Sequence, residues 1–78
     1  SALEADDNGL ALVEQILIRA AEFLTPEGLL FVEVGNSDLA VMEKWPDIGF
    51  MWLDFEAGGH GVFLLHHDQC VAFTQRYK

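Results

Sequence analysis

Basic residues are scarce in this chain. Four Lys and Arg stand against thirteen Asp and Glu, a formal net charge of -9, and charge of that sign repels a phosphate backbone. Direct nucleic-acid binding is therefore not expected. Cysteine is nearly absent: Cys70 stands alone, so no internal disulfide can form, which agrees with a reducing compartment. No apolar run approaches the roughly 18 residues of a membrane helix, and no basic start leads into an apolar core as in a signal peptide. The chain is read as soluble and cytoplasmic, without a membrane partner. No internal repeat, low-complexity tract or domain linker is present. At 78 residues the chain makes at most one small domain with a thin core.

Apolar material, by contrast, is plentiful. Hydrophobic residues make up 51% and aromatics 12% of the chain, with two Trp and six Phe, more than a small solvated module needs. Part of that surface is expected to face something outside the chain. With Ser rather than Met at position 1, the chain is read as a piece of a longer protein.

The central stretch is Leu29 to Val34, apolar except for Glu33 and bracketed by Gly28 and Gly35. It reads as a short strand buried on both faces, the kind found in parallel sheets covered by helices. Before it, Asp6-Asp7-Asn8-Gly9 gathers turn formers and helix caps. Leu10, Val13, Ile16, Leu17, Ala20, Ala21 and Leu24 then share one side at helical spacing, with Leu12 and Ile18 widening the buried face. Thr25-Pro26-Glu27-Gly28 fits a β-turn with Pro at its second position. After Gly35, Asn36 or Ser37 is expected to cap a second helix with Asp38 in its first turn, Leu39, Met42 and Trp45 forming its inner edge. Pro46 ends that helix. Phe50 to Phe55 and Val62 to Leu65 read as two strands joined through Ala57-Gly58-Gly59-His60-Gly61, a hairpin with a loose tip. Cys70, Phe73, Thr74 and Tyr77 favour a short terminal helix with His67 or Asp68 as its cap, a continued strand being the alternative. The pattern is α/β, and ligands of doubly wound α/β sheets bind at the carboxyl ends of strands. That directs attention to Glu33, Gly35, Asn36 and Ser37.

Several side chains invite chemical readings, each with a plainer rival. A carboxylate within an apolar strand must reach solvent or find donors, so Glu33 either orients a polar substrate or caps a neighbouring segment. Gly58-Gly59-His60-Gly61 lacks the following Lys of a Walker loop and joins two strands, which favours a hairpin turn over a phosphate cradle. His60, His66, His67, Asp68 and Cys70 can all ligate zinc, but the spacing matches no usual site, and adjacent His66 and His67 point apart on a strand. No metal is expected. Cys70 has no evident basic neighbour to make it a nucleophile and reads as a small buried thiol. Trp45, Phe50, Trp52 and Phe55 form core, or a face toward absent parts, rather than a stacking platform.

Taken together, Asp7-Asn8-Gly9-Leu10, then Ala20-Ala21-Glu22-Phe23-Leu24-Thr25-Pro26-Glu27-Gly28-Leu29-Leu30, then Glu33-Val34-Gly35-Asn36-Ser37 resemble the carboxyl-terminal part of the HemK/PrmB family. Those are protein-(glutamine-N5) methyltransferases that use S-adenosylmethionine, and relatives are often labelled adenine-specific methylases. The likeness is greatest to the PrmB branch, which modifies a large-subunit ribosomal protein. Trp45-Pro46-Asp47, Trp52-Leu53, Phe55 and Gly58-Gly59-His60-Gly61-Val62-Phe63 continue it, so that it runs from about Ala5 to about Val71.

The resemblance implies residues 1–78 to be a single partial domain. It would be the carboxyl-terminal portion of a class I S-adenosylmethionine-dependent methyltransferase (Rossmann-like) sheet, in the order helix, strand, helix, antiparallel β-hairpin and short terminal helix. The strand at Leu29 would be the family's fifth, and the order across the sheet would be five, seven, six with the seventh antiparallel between its neighbours. The family's glycine-rich cofactor loop, its acidic residue after the second strand and its Asn-Pro-Pro-Tyr motif are absent from this sequence. The cofactor-binding half is thus missing. An amide nitrogen is a poor nucleophile whose transfer depends on placement, and no catalytic, cofactor-binding or metal-binding residue is expected here. S-adenosylmethionine would belong to the intact protein. The resemblance assigns Asp7, Asn8, Gly9, Glu33, Gly35 and Asn36 to a substrate-side pocket. It leaves the open edge at Leu29 to Val34 available for a homodimer. Rival functions are a fragment of an adenine-specific DNA methyltransferase, which the acidity opposes, and a non-enzymatic acidic interaction module.

Overall fold

A computed structural model of the chain describes residues 9–78. Among them the order is α1 (Leu10–Phe23), β1 (Leu29–Glu33), a 3-10 turn (Gly35–Ser37), α2 (Asp38–Lys44), β2 (Met51–Leu53), β3 (Val62–His66) and α3 (His67–Tyr77). The three strands lie in the order β1-β3-β2, and β3 is antiparallel to both neighbours. The order of the three strands, the antiparallel middle strand, the hairpin and the terminal helix are as expected.

Each helix forms around an apolar stripe. In α1, Leu10, Val13, Leu17 and Ala20 are buried, spaced three or four apart as one helical face demands. The Gly28 N–H donates to the Thr25 carbonyl at 2.8 Å, closing the expected β-turn. In α3, Cys70 and Phe73 are buried. The Thr74 hydroxyl donates to the Ile18 carbonyl of α1 at 3.1 Å, so the two helices are tied side by side. Gln69 completes the start of α3: its side-chain oxygen accepts the His66 N–H at 2.8 Å, and its amide donates to the Ile48 and Gly49 carbonyls. The cap is therefore His66, one residue before the two expected, because Gln69 sits three residues on and closes a capping box.

The helices supply one apolar layer. Leu10, Val13 and Leu17 of α1, Val41 and Trp45 at α2, Phe63 and Leu65 of β3, and Cys70 and Phe73 of α3 form one buried cluster. Edge-to-face rings bind it, with Phe50 4.7 Å and Trp52 5.4 Å from Phe63, and Trp45 5.4 Å from Phe73.

Four sequence expectations are corrected. First, β1 is not buried on both faces: Leu29 is 44% and Phe31 56% exposed, while Leu30 and Val32 pack against the core. Its neighbour is antiparallel β3, so among the described residues no parallel pair exists and only one face has helices on it. Second, Leu39 and Met42 are exposed. The inner edge of α2 is Val41 and Trp45, four residues apart, because a 3-10 turn before this short helix resets its phase. Third, neither Asn36 nor Ser37 caps α2 through its side chain; Asp38 instead accepts the Leu39 N–H at 2.9 Å. Fourth, Leu12 is 52% exposed, so it does not widen the core, and the strand expected over Phe50 to Phe55 is paired only at Met51–Leu53; Phe55, 49% exposed, takes the outward-facing one of its two expected places.

Candidate functional site

The carboxyl end of β1 and the first two turns of α1 enclose a groove of about 560 Å³. Gly9, Leu12, Val13 and Ile16 form its helical wall, and the continuous run Val32-Glu33-Val34-Gly35-Asn36-Ser37 forms the other. Of the six residues assigned to a pocket from the sequence, Gly9, Glu33, Gly35 and Asn36 all line this groove. Asp7 and Asn8 lie outside the described residues.

Backbone geometry explains why these groups converge. Gly9 takes a left-handed conformation with φ 79°, turning the chain into α1 at the groove wall. At the other wall, β1 ends in a tight reversal: the Val34 N–H donates to the Gly61 carbonyl at 2.6 Å and the Gly35 N–H donates to the same oxygen at 3.2 Å. Gly35 itself has φ 57°, the left-handed region that side chains disfavour. Gly61 has φ 80°, and a Cβ there would fall 2.7 Å from the Gly35 Cα. Two glycine backbones are thus in direct contact, and the hairpin loop is fixed against the end of β1.

Glu33 reaches solvent at the strand end, the first of its two expected resolutions, and is exposed. It is the ionisable side chain of the groove lining, which otherwise offers the Asn36 carboxamide, the Ser37 hydroxyl and apolar walls.

His60 was legible only as a candidate metal ligand, and its placement is different. Its Nε2 lies 2.9 Å from Asn36 Oδ1, across a sequence separation that no local pattern reports. Among the described residues, no three His, Cys, Asp or Glu side chains come together as a metal site. The neighbouring histidines part: His66 caps α3, while His67 is half-buried with its Nδ1 3.6 Å from Asp68. Cys70 is buried, and burial raises its thiol pKa, the opposite of what a nucleophile needs.

A second, apolar groove of about 410 Å³ runs along the open side of α1 and β1, between Ile16, Ala20, Phe23, Leu24 and Leu30. Phe23 is 74% exposed there, with the Arg19 guanidinium 5.5 Å from its ring centre.

The turn after β1 is Gly35-Asn36-Ser37, a single 3-10 turn that leads into α2. No helix among the described residues is long and apolar enough to cross a membrane.

Known proteins that the chain matches include two glutamine methyltransferases of the same description. A ribosomal protein uL3 glutamine methyltransferase of Francisella tularensis is 49% identical over 77 residues, which is 99% of this chain and 24% of that relative. Its counterpart of the same description in Xanthomonas campestris is 36% identical over 74 residues, 95% of this chain and again 24% of the relative. The chain spans about a quarter of the length of the curated relatives it matches. No protein-family model matches it, and no solved structure does. The likeness implied by the motifs is thereby borne out along almost the whole chain.

Proposed function

We propose that this chain, a relative of the ribosomal protein uL3 glutamine methyltransferases over 99% of its length, is the carboxyl-terminal, substrate-side flank of an S-adenosylmethionine-dependent enzyme that methylates a glutamine amide of a large-subunit ribosomal protein. The single observation behind this is the match at 49% identity. The groove agrees with it: Glu33 and Asn36 offer a hydrogen-bond acceptor and donor between apolar walls, suited to a neutral carboxamide. The role of this piece is to shape and position. Cofactor binding and the transfer itself belong to the rest of the protein, and alone the chain is inert. Residues 1–78 are then one partial domain of a Rossmann-like sheet, with the strand that precedes β1 in that sheet supplied from outside.

The test is methyl transfer by the full-length protein to purified uL3 with labelled S-adenosylmethionine, the modified residue being located by mass spectrometry. Label on a glutamine side chain is the expected result. Label on adenine of duplex DNA instead would establish the rival substrate. No label on either acceptor would return the chain to the non-enzymatic class.

Isolated from such a protein, β1 has an edge with no strand neighbour among the described residues, beside exposed Leu29 and Phe31, a combination that favours strand pairing between copies. A homodimer through β1 is the expected state at micromolar concentration. Sedimentation as a monomer would contradict it.

A further inference from the structure

We propose that His60 is a positioning residue of the groove: its Nε2–H holds Asn36 Oδ1, turning the Asn36 amino group toward an incoming carboxamide carbonyl. This rests on reading the groove as the substrate side of a glutamine methyltransferase. A carboxamide has one acceptor end and one two-proton donor end. With the acceptor end engaged 2.9 Å from His60, the donor end is the one left to the groove that Asn36 lines. Glu33, on the same wall, can only accept. The carbonyl of a primary carboxamide matches the Asn36 donor, which leaves its amino group, the atom to be methylated, to the rest of the protein.

The position of His60 is not accidental to a wandering loop. The next residue, Gly61, receives two N–H groups from Val34 and Gly35 and has no room for a side chain against Gly35. The hairpin tip is therefore anchored one residue from His60, at the same turn that carries Asn36. A loop 24 residues away in sequence thus sets the orientation of a groove side chain, while the imidazole itself need not touch the substrate.

The experiment compares His60→Ala and His60→Gln in the full-length protein. If His60 positions Asn36, His60→Ala raises KM for uL3 about 3- to 10-fold, the worth of one neutral hydrogen bond. In that case kcat and S-adenosylmethionine affinity stay within about twofold of wild type, and His60→Gln, which keeps an N–H donor, recovers most of the loss. An unchanged KM in His60→Ala overturns the proposal. So does a joint loss of kcat, cofactor affinity and melting temperature that His60→Gln fails to mend, since that marks a purely structural role. A second readout needs no methyl transfer: the ¹⁵N-labelled Asn36 side-chain amide is followed by NMR while N-acetylglutamine amide is added. Shifts in wild type and His60→Gln but not in His60→Ala support the proposal even if the wild type proves inactive on uL3. No shift in wild type, or equal shifts in all three, overturns it.

Discussion

At the scale of single residues, the groove depends on two glycines whose reasons differ. Gly35 is required by its left-handed turn alone, because an added Cβ would meet nothing within 4 Å. Gly61 is required by both its φ of 80° and its contact with the Gly35 backbone. The sequence marks both positions as glycine but not that they touch, since contact between residues 35 and 61 is a property of the folded sheet. His60 is hidden for the same reason. That Glu33, Gly35 and Asn36 share a groove wall was legible because they lie within four residues at one strand end. Cys70 yields a pH prediction. Its thiol pKa is raised by burial, so the folded state holds the proton more tightly than the unfolded chain. The resulting stability is complete below the ordinary thiol pKa and is lost as pH climbs from there through the raised folded value. Denaturation midpoints of the native chain should therefore fall over that alkaline range more steeply than those of Cys70→Ala. Under native conditions at neutral pH, Cys70 should also resist a thiol reagent that labels it at once in denaturant.

At the scale of elements, type and order were readable and facing was not. The stripe of α1, the turn at Thr25–Gly28 and the helix stop at Pro46 depend on local chemistry, and all three are where the pattern places them. For β1, an apolar run announces a strand but cannot say whether both sides have a neighbour. Cross-strand register resolves this. Val32 stands opposite Phe63, which stands opposite Trp52, on the covered face, whereas Phe31, Leu64 and Met51 form the row on the other. Phe63 is fully buried, but Phe31 and Met51 are more than half exposed. Substitution should separate the two rows. Phe63→Ala should cost about 3–5 kcal/mol, a large part of a small domain's stability. Phe31→Ala should change the stability of this chain by no more than about 0.5 kcal/mol. Within the full-length protein Phe31→Ala should cost several times more, because there its row acquires a cover. Chemical denaturation of both forms at nanomolar concentration, diluted below dimer formation, makes the comparison, and equal costs of Phe31→Ala in the two would contradict a covered face.

At the scale of the whole molecule, the described residues build a layer of helices on one side of a three-stranded sheet and leave the other side and the β1 edge without a neighbour. Among the described residues eight large hydrophobic side chains are exposed, which a chain of net charge -9 tolerates through mutual repulsion but does not explain. The explanation offered is incompleteness: about three quarters of the length of its relatives lies outside the match. That account assigns the groove to this chain and the cofactor to the remainder. Isothermal titration with S-adenosylmethionine tests the division most directly, using this 78-residue chain and the full-length protein in parallel. The account predicts no heat of binding for the short chain and saturable binding for the long one. Saturable binding by the short chain would contradict it, because this chain itself would then hold the cofactor.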